Sequence, residues 1–250
     1  MANEIFFKGL FNDIPCIVKC SSIAPDSIEN EYEMNLRLFN SNNSVFPKPL
    51  GKYKSSNGKE AFIVTKLLSG PSLTEIIHNG VDENTAKEIA SDVIQIAQSL
   101  NKLGIVHGDI IPDNLIMDND GHLKLIDFQF AINRNSPKID PWLKKNPKFR
   151  FLLQGANSHL GLGVWNDAWA LIQCLEKLPQ YQDVKTAIEK LLAMKGEMEF
   201  KSPPDAKEMF ILRIHLMSLY AQRAIHFFST RRRERIAGRI RKLNRLMGNR

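Results

Sequence analysis

Between residues 107 and 131 the chain reads HGDIIPDNLIMDNDGHLKLIDFQFA, which places Asp109, Asn114, Asp118 and Asp127 within reach of joint action. Three chemistries use such a set: a metal-and-phosphate site, a calcium loop, or a polar turn between two strands. A calcium loop of the EF-hand kind needs oxygen ligands at its first, third and fifth positions, glycine at the sixth and glutamate at the twelfth. Counted from Asp118, the fifth position is His122 and the twelfth is Gln129, so that chemistry is excluded. A turn accounts for Asp118, Asn119 and Asp120, since Asx residues beside Gly121 suit a hairpin. It does not account for Asp109 and Asp127. Each follows an apolar run, LGIVHG or LKLI, where an unpaired carboxylate is costly to bury. Strand ends facing a cleft give both carboxylates a reason to be there.

The elements that must position these residues lie on either side. IFFKGLF and PCIVKC flank the turn pair Asn12-Asp13 and predict a β-hairpin. SIENEYEMNLRLFN has helical spacing through Ile28, Tyr32, Leu36 and Phe39, with Ser27 as its cap. VFPKPLGKYKSSNGKEAFIVTKLL predicts two strands about a Ser-Asn-Gly turn, and SGPSLTEII a linker entering a helix. DENTAKEIASDVIQIAQSLNKLG is an amphipathic helix capped by Asp82 or Asn84 and stopped by Gly104. NLIMDNDGHLKLIDF gives two short strands about Asn119-Asp120-Gly121, and beyond Trp165 the pattern is helical, interrupted at GLGVWND and KSPPD. A β-rich front and a helix-rich back predict an α+β fold of two lobes with a cleft between them. The expected division is a β-rich N-lobe at 1–68, a helical C-lobe at 69–228 and a basic amphipathic tail at 229–250.

Composition sets the class. Of 250 residues, 43% are apolar and 24% charged, the balance of a folded soluble chain rather than a disordered one. The opening MANEIFFKGLFNDIPC has no basic region followed by an apolar run, so no secretory signal is expected. The most apolar window, 209–228, is broken by Arg213 and Arg223 and reads as a buried or interfacial helix, not a membrane span. Cys16, Cys20 and Cys174 form no CxxC pair, which points to free thiols in a reducing cytoplasm. The net charge of +7 is concentrated at one end. From Arg223 onward there are ten Lys/Arg and one acid, leaving 24 bases and 26 acids before it. Within this tail Ile236, Ile240, Leu243 and Met247 fall on one helical face and Arg235, Arg241, Lys242 and Arg245 on others. That pattern suits either packing on the C-lobe or an anionic membrane surface. Nucleic acid is not expected, because no aromatic residue interleaves the charges after Phe228.

His107-Gly108-Asp109, four residues, Asn114, and then Asp127-Phe128 resemble the catalytic and metal-binding loops of the protein-kinase-like superfamily. The His-Gly-Asp form is similar to aminoglycoside and choline kinases and, more closely, to lipopolysaccharide core heptose and Kdo kinases. CIVK resembles the strand-lysine motif and gives Lys19; NEYEMNLRL resembles the following helix and gives Glu31 as its partner, with Glu33 as fallback. FIVTKLLSG resembles the strand and hinge between lobes, and NDAWAL gives Asp167 as a structural tie to the catalytic loop. The resemblance covers roughly residues 5–178 and implies a two-lobed protein-kinase-like fold that uses ATP and Mg²⁺. It implies that Asp109 accepts the acceptor hydroxyl's proton, that Asn114 and Asp127 hold Mg²⁺, and that Lys19, oriented by Glu31, holds the nucleotide phosphates. His107 is expected to pack and hydrogen-bond rather than act as a base.

The sequence also departs from that pattern. Gly9 is the single glycine ahead of Lys19, so no glycine-rich phosphate loop is seen. Gly108 replaces an arginine and Gln129 a glycine of protein kinases, and INRNSPKIDPWLKKNPKFRFLL contains no Ala-Pro-Glu. His-Gly-Asp, the absence of the Ala-Pro-Glu peptide platform and the basic, amphipathic end favour a hydroxyl on a lipid-linked sugar of the lipopolysaccharide core, with the enzyme cytoplasmic and peripheral on the inner membrane face. The alternatives are a Ser/Thr protein kinase or other small-molecule kinase, and a pseudokinase binding module.

Overall fold

A computed structural model describes residues 5–21, 25–135, 163–225 and 237–242. The first hairpin forms where two alternating apolar segments meet a two-residue turn. Strands β1 (Ile5–Phe11) and β2 (Ile14–Ser21) pair antiparallel, and Asn12 and Asp13 both have positive φ, 49° and 63°. Those angles give the turn the twist that matches its flanking strands. Helix α1 (Pro25–Ser41) follows, then β3 (Pro49–Lys54) and β4 (Ala61–Lys66), completing a four-stranded sheet in the order β1-β2-β4-β3. Ser27 lies inside the first turn of α1 rather than capping it, because the helix already begins at Pro25. Helix α1 packs on β3 and β4, and Lys52 bridges to Glu29 and Glu33 at 2.9 and 2.6 Å.

Register decides which side chains face the cleft. Phe6 pairs with Lys19, Lys19 with Ile63, and Ile17 with Thr65. Alternation along each strand therefore puts these five residues on one face, and all five line the cleft.

The chain crosses between lobes at residues 67–71. A Cβ on Gly70 would come within 1.8 Å of the Met117 carbonyl oxygen, so only glycine fits this crossing. Helix α2 (Leu73–Asn79) starts with a capping box in which Ser72 and Glu75 exchange hydrogen bonds. Helix α3 (Glu83–Leu103) is capped by Asp82 and ends at Gly104 in the left-handed conformation, φ 63°. Its stripe of Ala86, Ile89, Ala90, Val93, Ile96, Ala97 and Leu100 is buried. Against it lie β5 (Ile105–Val106) and β7 (Leu123–Leu125), while a single 3₁₀ turn (Pro112–Asn114) and β6 (Leu115–Met117) lie against α2.

Next come β8 (Ile132–Asn133), β9 (Val164–Asn166), α4 (Asp167–Leu175), α5 (Gln182–Met194), β10 (Glu199–Lys201) and α6 (Ala206–Ile225). The pairings of β5 with β8 and of β9 with β10 were not legible as strands, being two or three residues long and held by distant partners. Helix α6 buries Leu212, Leu216 and Leu219 on one side and exposes Phe210, Ile214 and Met217 on another. A β-sheet front and helical back give the expected α+β, two-lobed arrangement. Among the described residues no helix is long and apolar enough to cross a membrane.

Candidate active site between the lobes

Four segments converge on a cleft of about 320 Å³. Strand β2 brings Lys19, helix α1 brings Glu31, and the segments flanking β6 and β7 bring Asn114 and Asp127. Lys19 Nζ lies 3.0 Å from Glu31 Oε2 and 2.8 Å from Asp127 Oδ1. Lys19 and Glu31 are both buried, at 5% and 7% exposure, where one charge without the other would be expensive. The fallback partner, Glu33, faces away and bonds Lys52.

Gln129 completes the surroundings of Lys19: its Oε1 accepts from Nζ at 2.9 Å. In the sequence Gln129 shows only as a replacement for a glycine of protein kinases; no local pattern shows that a side chain after Asp127 will turn back 110 positions to a lysine on another lobe. Asn30 was missed for the same reason. Its amide donates to the Ala131 carbonyl at 2.8 Å and ties α1 to the segment after Asp127.

Asp127 has φ 66°, a left-handed conformation that an Asp tolerates better than a branched residue. Burial pushes its carboxyl up, but the Lys19 charge and hydrogen bond outweigh that and hold it below the ordinary carboxylate range. Phe128 beside it is fully buried, edge-on to Phe46 and His107 at centroid separations of 6.0 and 4.9 Å. This packing fixes where Asp127 emerges into the cleft.

The loop carrying Asp109 is held from beneath. Asp167, at the start of α4, accepts from the backbone N–H groups of His107 at 2.6 Å and Gly108 at 3.0 Å. Gly108 has φ 79°, which glycine adopts without strain. His107 Nδ1 takes the Asp109 N–H at 3.2 Å, so Nε2, 2.9 Å from the Ile126 carbonyl, is the ring's donor. The ring is a buried strut between two loops, as its sequence context implied. Asn114 donates its side-chain amide N–H to the Asp109 carbonyl at 2.9 Å, and its backbone carbonyl accepts from the Ile126 N–H at 2.9 Å. Asp118, by contrast, is drawn away from the set: it is buried in the β6–β7 turn and paired with Lys66 at 3.2 Å.

Chemically, a buried ammonium steadied by a carboxylate is a phosphate-holding group. With the Asn114 amide nitrogen spent on Asp109, its remaining side-chain oxygen and the Asp127 carboxylate are the hard-oxygen donors that suit Mg²⁺. Among the described residues there is no cluster of three or more His, Cys, Asp or Glu that would hold a metal by itself. A pair of protein donors is what a magnesium site completed by substrate phosphates needs.

A small sheet with a lysine–glutamate pair, set over a helical lobe that presents an Asp-bearing loop and a second Asp after a short hairpin, is the architecture of a kinase domain. The chain belongs to the protein kinase domain family, whose pattern matches residues 26–150, half of its length. It is similar to the Citron rho-interacting kinase of Rattus norvegicus, at 30% identity over 95 residues, 37% of this chain and 5% of that protein. It is 35% identical over 99 residues to the probable serine/threonine-protein kinase pkgA of Dictyostelium discoideum, 38% of this chain and 7% of that one. It is 38% identical over 77 residues to the serine/threonine-protein kinase cds1 of Schizosaccharomyces pombe, 30% of this chain and 17% of that one. The chain thus spans less than a fifth of these relatives. Their names give no support to the expected lipopolysaccharide sugar acceptor or to a membrane association.

Proposed function

We propose that this chain transfers the γ-phosphoryl group of ATP, with Mg²⁺, to a hydroxyl, and that the hydroxyl belongs to a serine or threonine of a protein. The observation that carries the phosphotransfer reading is the buried Lys19–Glu31 pair meeting Asp127 at the cleft. Bound Mg²⁺ would neutralise phosphate charge, held by Asn114 and Asp127. Lys19 holds phosphate oxygens, and Glu31 keeps its ammonium in place. Asp109 orients the acceptor hydroxyl and takes its proton, and Asp167 fixes the backbone from which Asp109 projects.

The acceptor is argued from the relatives, which are serine/threonine kinases by name. The departures that favoured a core sugar weigh less once the side chains are placed. Gly108 meets a positive φ, and Gln129 serves Lys19; neither touches an acceptor class. Three buried thiols suit a reducing, ATP-supplied cytoplasm.

The test is phosphate transfer from radiolabelled ATP to a degenerate Ser/Thr peptide library and, in parallel, to purified lipopolysaccharide core. Label on peptide supports the proposal; label on the sugar alone returns the acceptor to the earlier expectation. ATP binding by thermal shift with no turnover on either, or on water, would make the chain a pseudokinase binding module. Gly9 as the single glycine ahead of Lys19 is the feature that keeps this last reading in view.

A further inference from the structure

We infer that Phe6 is the roof of the nucleotide site: its ring packs on the sugar of the bound nucleotide, so that the cleft selects a nucleoside triphosphate over a bare polyphosphate. This rests on the nucleotide-binding part of the reading given above. Strand β1 exposes four large apolar residues, Ile5, Phe6, Phe7 and Leu10, at 52%, 56%, 53% and 71%. Of these four, Phe6 alone lines the cleft. Alternation puts Phe7 on the other face of the sheet.

The place of the ring along the cleft follows from register. Phe6 pairs with Lys19 and Lys19 with Ile63, so the three form one row across the sheet. The next row on that face, Ile17 with Thr65, lies toward the crossing at 67–71. There the lining is apolar, from Leu67, Leu68, Ile116 and Ile126. At the other end Lys19, Glu31 and Asp127 supply the charge. A nucleotide matched to this gradient puts its base toward Leu67 and Leu68 and its phosphates on Lys19. Phe6, in the Lys19 row, then stands over the junction between them, which is the sugar.

An aromatic ring at that junction gains from one kind of surface. Laid on phosphate oxygens it would strip their water and return no hydrogen bond. Laid on the C–H groups of a sugar it buries apolar area on both sides. More than half of Phe6 is exposed, so a bound nucleotide has surface to cover. The ring also does what no glycine-rich cradle does in this chain. Gly9, the single glycine ahead of Lys19, lies in regular strand opposite Cys16, and a Cβ on it would meet nothing within 4 Å. It marks no close approach of backbone to a phosphate.

The described part of the basic tail is committed elsewhere. Ala237 and Ile240, on the helical turn 237–242, are buried, and Ile240 packs with Val106, Trp165 and Leu212. That residue of the apolar stripe is spent on the C-lobe and is not available to a membrane; Ile236, Leu243 and Met247 lie outside the described residues.

The experiment is calorimetric titration of the full chain with Mg²⁺-ATP and, separately, with Mg²⁺-tripolyphosphate. Phe6→Ala should weaken ATP about tenfold, the cost of leaving roughly half a Phe side chain uncovered, and tripolyphosphate by less than about twofold. Phe6→Leu, which keeps an apolar roof, should recover most of the loss. Phe7→Ala is the control, equally exposed on the same strand, and should bind both ligands as the wild type does. Melting temperatures without ligand should agree among the three variants, a check that β1 still pairs. Wild-type ATP affinity in Phe6→Ala, equal losses on the two ligands, or an equal loss in Phe7→Ala overturns the inference. A wild type that binds ATP without turning it over fails the transfer reading and leaves the Phe6 comparison decisive. A wild type that binds no Mg²⁺-ATP defeats both.

Discussion

Gln129 Oε1 accepts a hydrogen bond from the Lys19 ammonium at 2.9 Å, alongside the 2.8 Å contact from the same nitrogen to Asp127. Two side chains of one short segment after β7 therefore converge on one charge from the opposite lobe. Gln129→Ala removes an acceptor from a buried cation and should lower stability by about 1–3 kcal/mol. Urea unfolding measures this. ATP-dependent thermal shift should not weaken, since Lys19 keeps Glu31 to orient it. Unchanged stability would reduce the Gln129 bond to an incidental contact.

Asp109→Ala and Asp127→Ala should each remove phosphotransfer, for different reasons. At Asp109 a positioned proton acceptor is lost, and kcat should fall by about a hundredfold or more while Mg²⁺-ATP binding persists. At Asp127 a metal donor and a partner of Lys19 are lost together, so Mg²⁺-dependent binding should weaken as well. Calorimetric titration with Mg²⁺-ATP separates the two. Wild-type turnover by the Asp127 variant would sink the phosphotransfer reading.

Lys19→Met and Glu31→Gln remove the same 3.0 Å pair, so their effects on ATP affinity should be strongly non-additive. Glu33→Gln serves as the control. Its bond to Lys52 is on the surface, where a pair contributes only about 0–1 kcal/mol, and it should not couple to Lys19. Additive losses at Lys19 and Glu31 would mean that the pair does not work as a unit.

Asp167→Asn keeps one oxygen where the carboxylate offers two, so one of the His107 and Gly108 N–H groups loses its acceptor. The expected cost is about 1–3 kcal/mol, with transfer reduced as the Asp109 loop loosens. The pH dependence has a definite sign. Burial holds the Asp167 carboxyl above its ordinary 3.8, although His107 and the two backbone bonds pull the other way. A raised carboxyl binds its proton more tightly in the folded chain. Its contribution is therefore full below the unfolded value and falls as pH rises through the folded one. The stability advantage of the wild type over Asp167→Asn should shrink from about pH 4 upward, read by thermal melts. An advantage that grows over that range would show the two backbone bonds to dominate.

Local chemistry carried the elements that the sequence made legible. The Asn12-Asp13 turn, the passage from linker to helix in SGPSLTEII, a cap at Asp82 or Asn84 and the Gly104 stop each act within about one turn of chain and are readable in order; the structure chose Asp82 and showed Ser72 as the first cap. The pairing of Lys19 with Glu31 was readable for another reason. The resemblance of CIVK and NEYEMNLRL to protein-kinase motifs implied it, with Glu33 as the fallback that the structure sets aside.

What the sequence by itself determined is thus the set of reactive groups and the lobe each belongs to. Only the tertiary structure decided which of them meet. Gln129 and Asn30 gain their roles from contacts across 110 and 101 positions, and Ile240 is buried against Val106 and Trp165 from far along the chain. Such contacts follow from burial shared among distant segments, which depends on how the lobes pack as a whole. No periodicity, cap or turn residue near those positions carries that information.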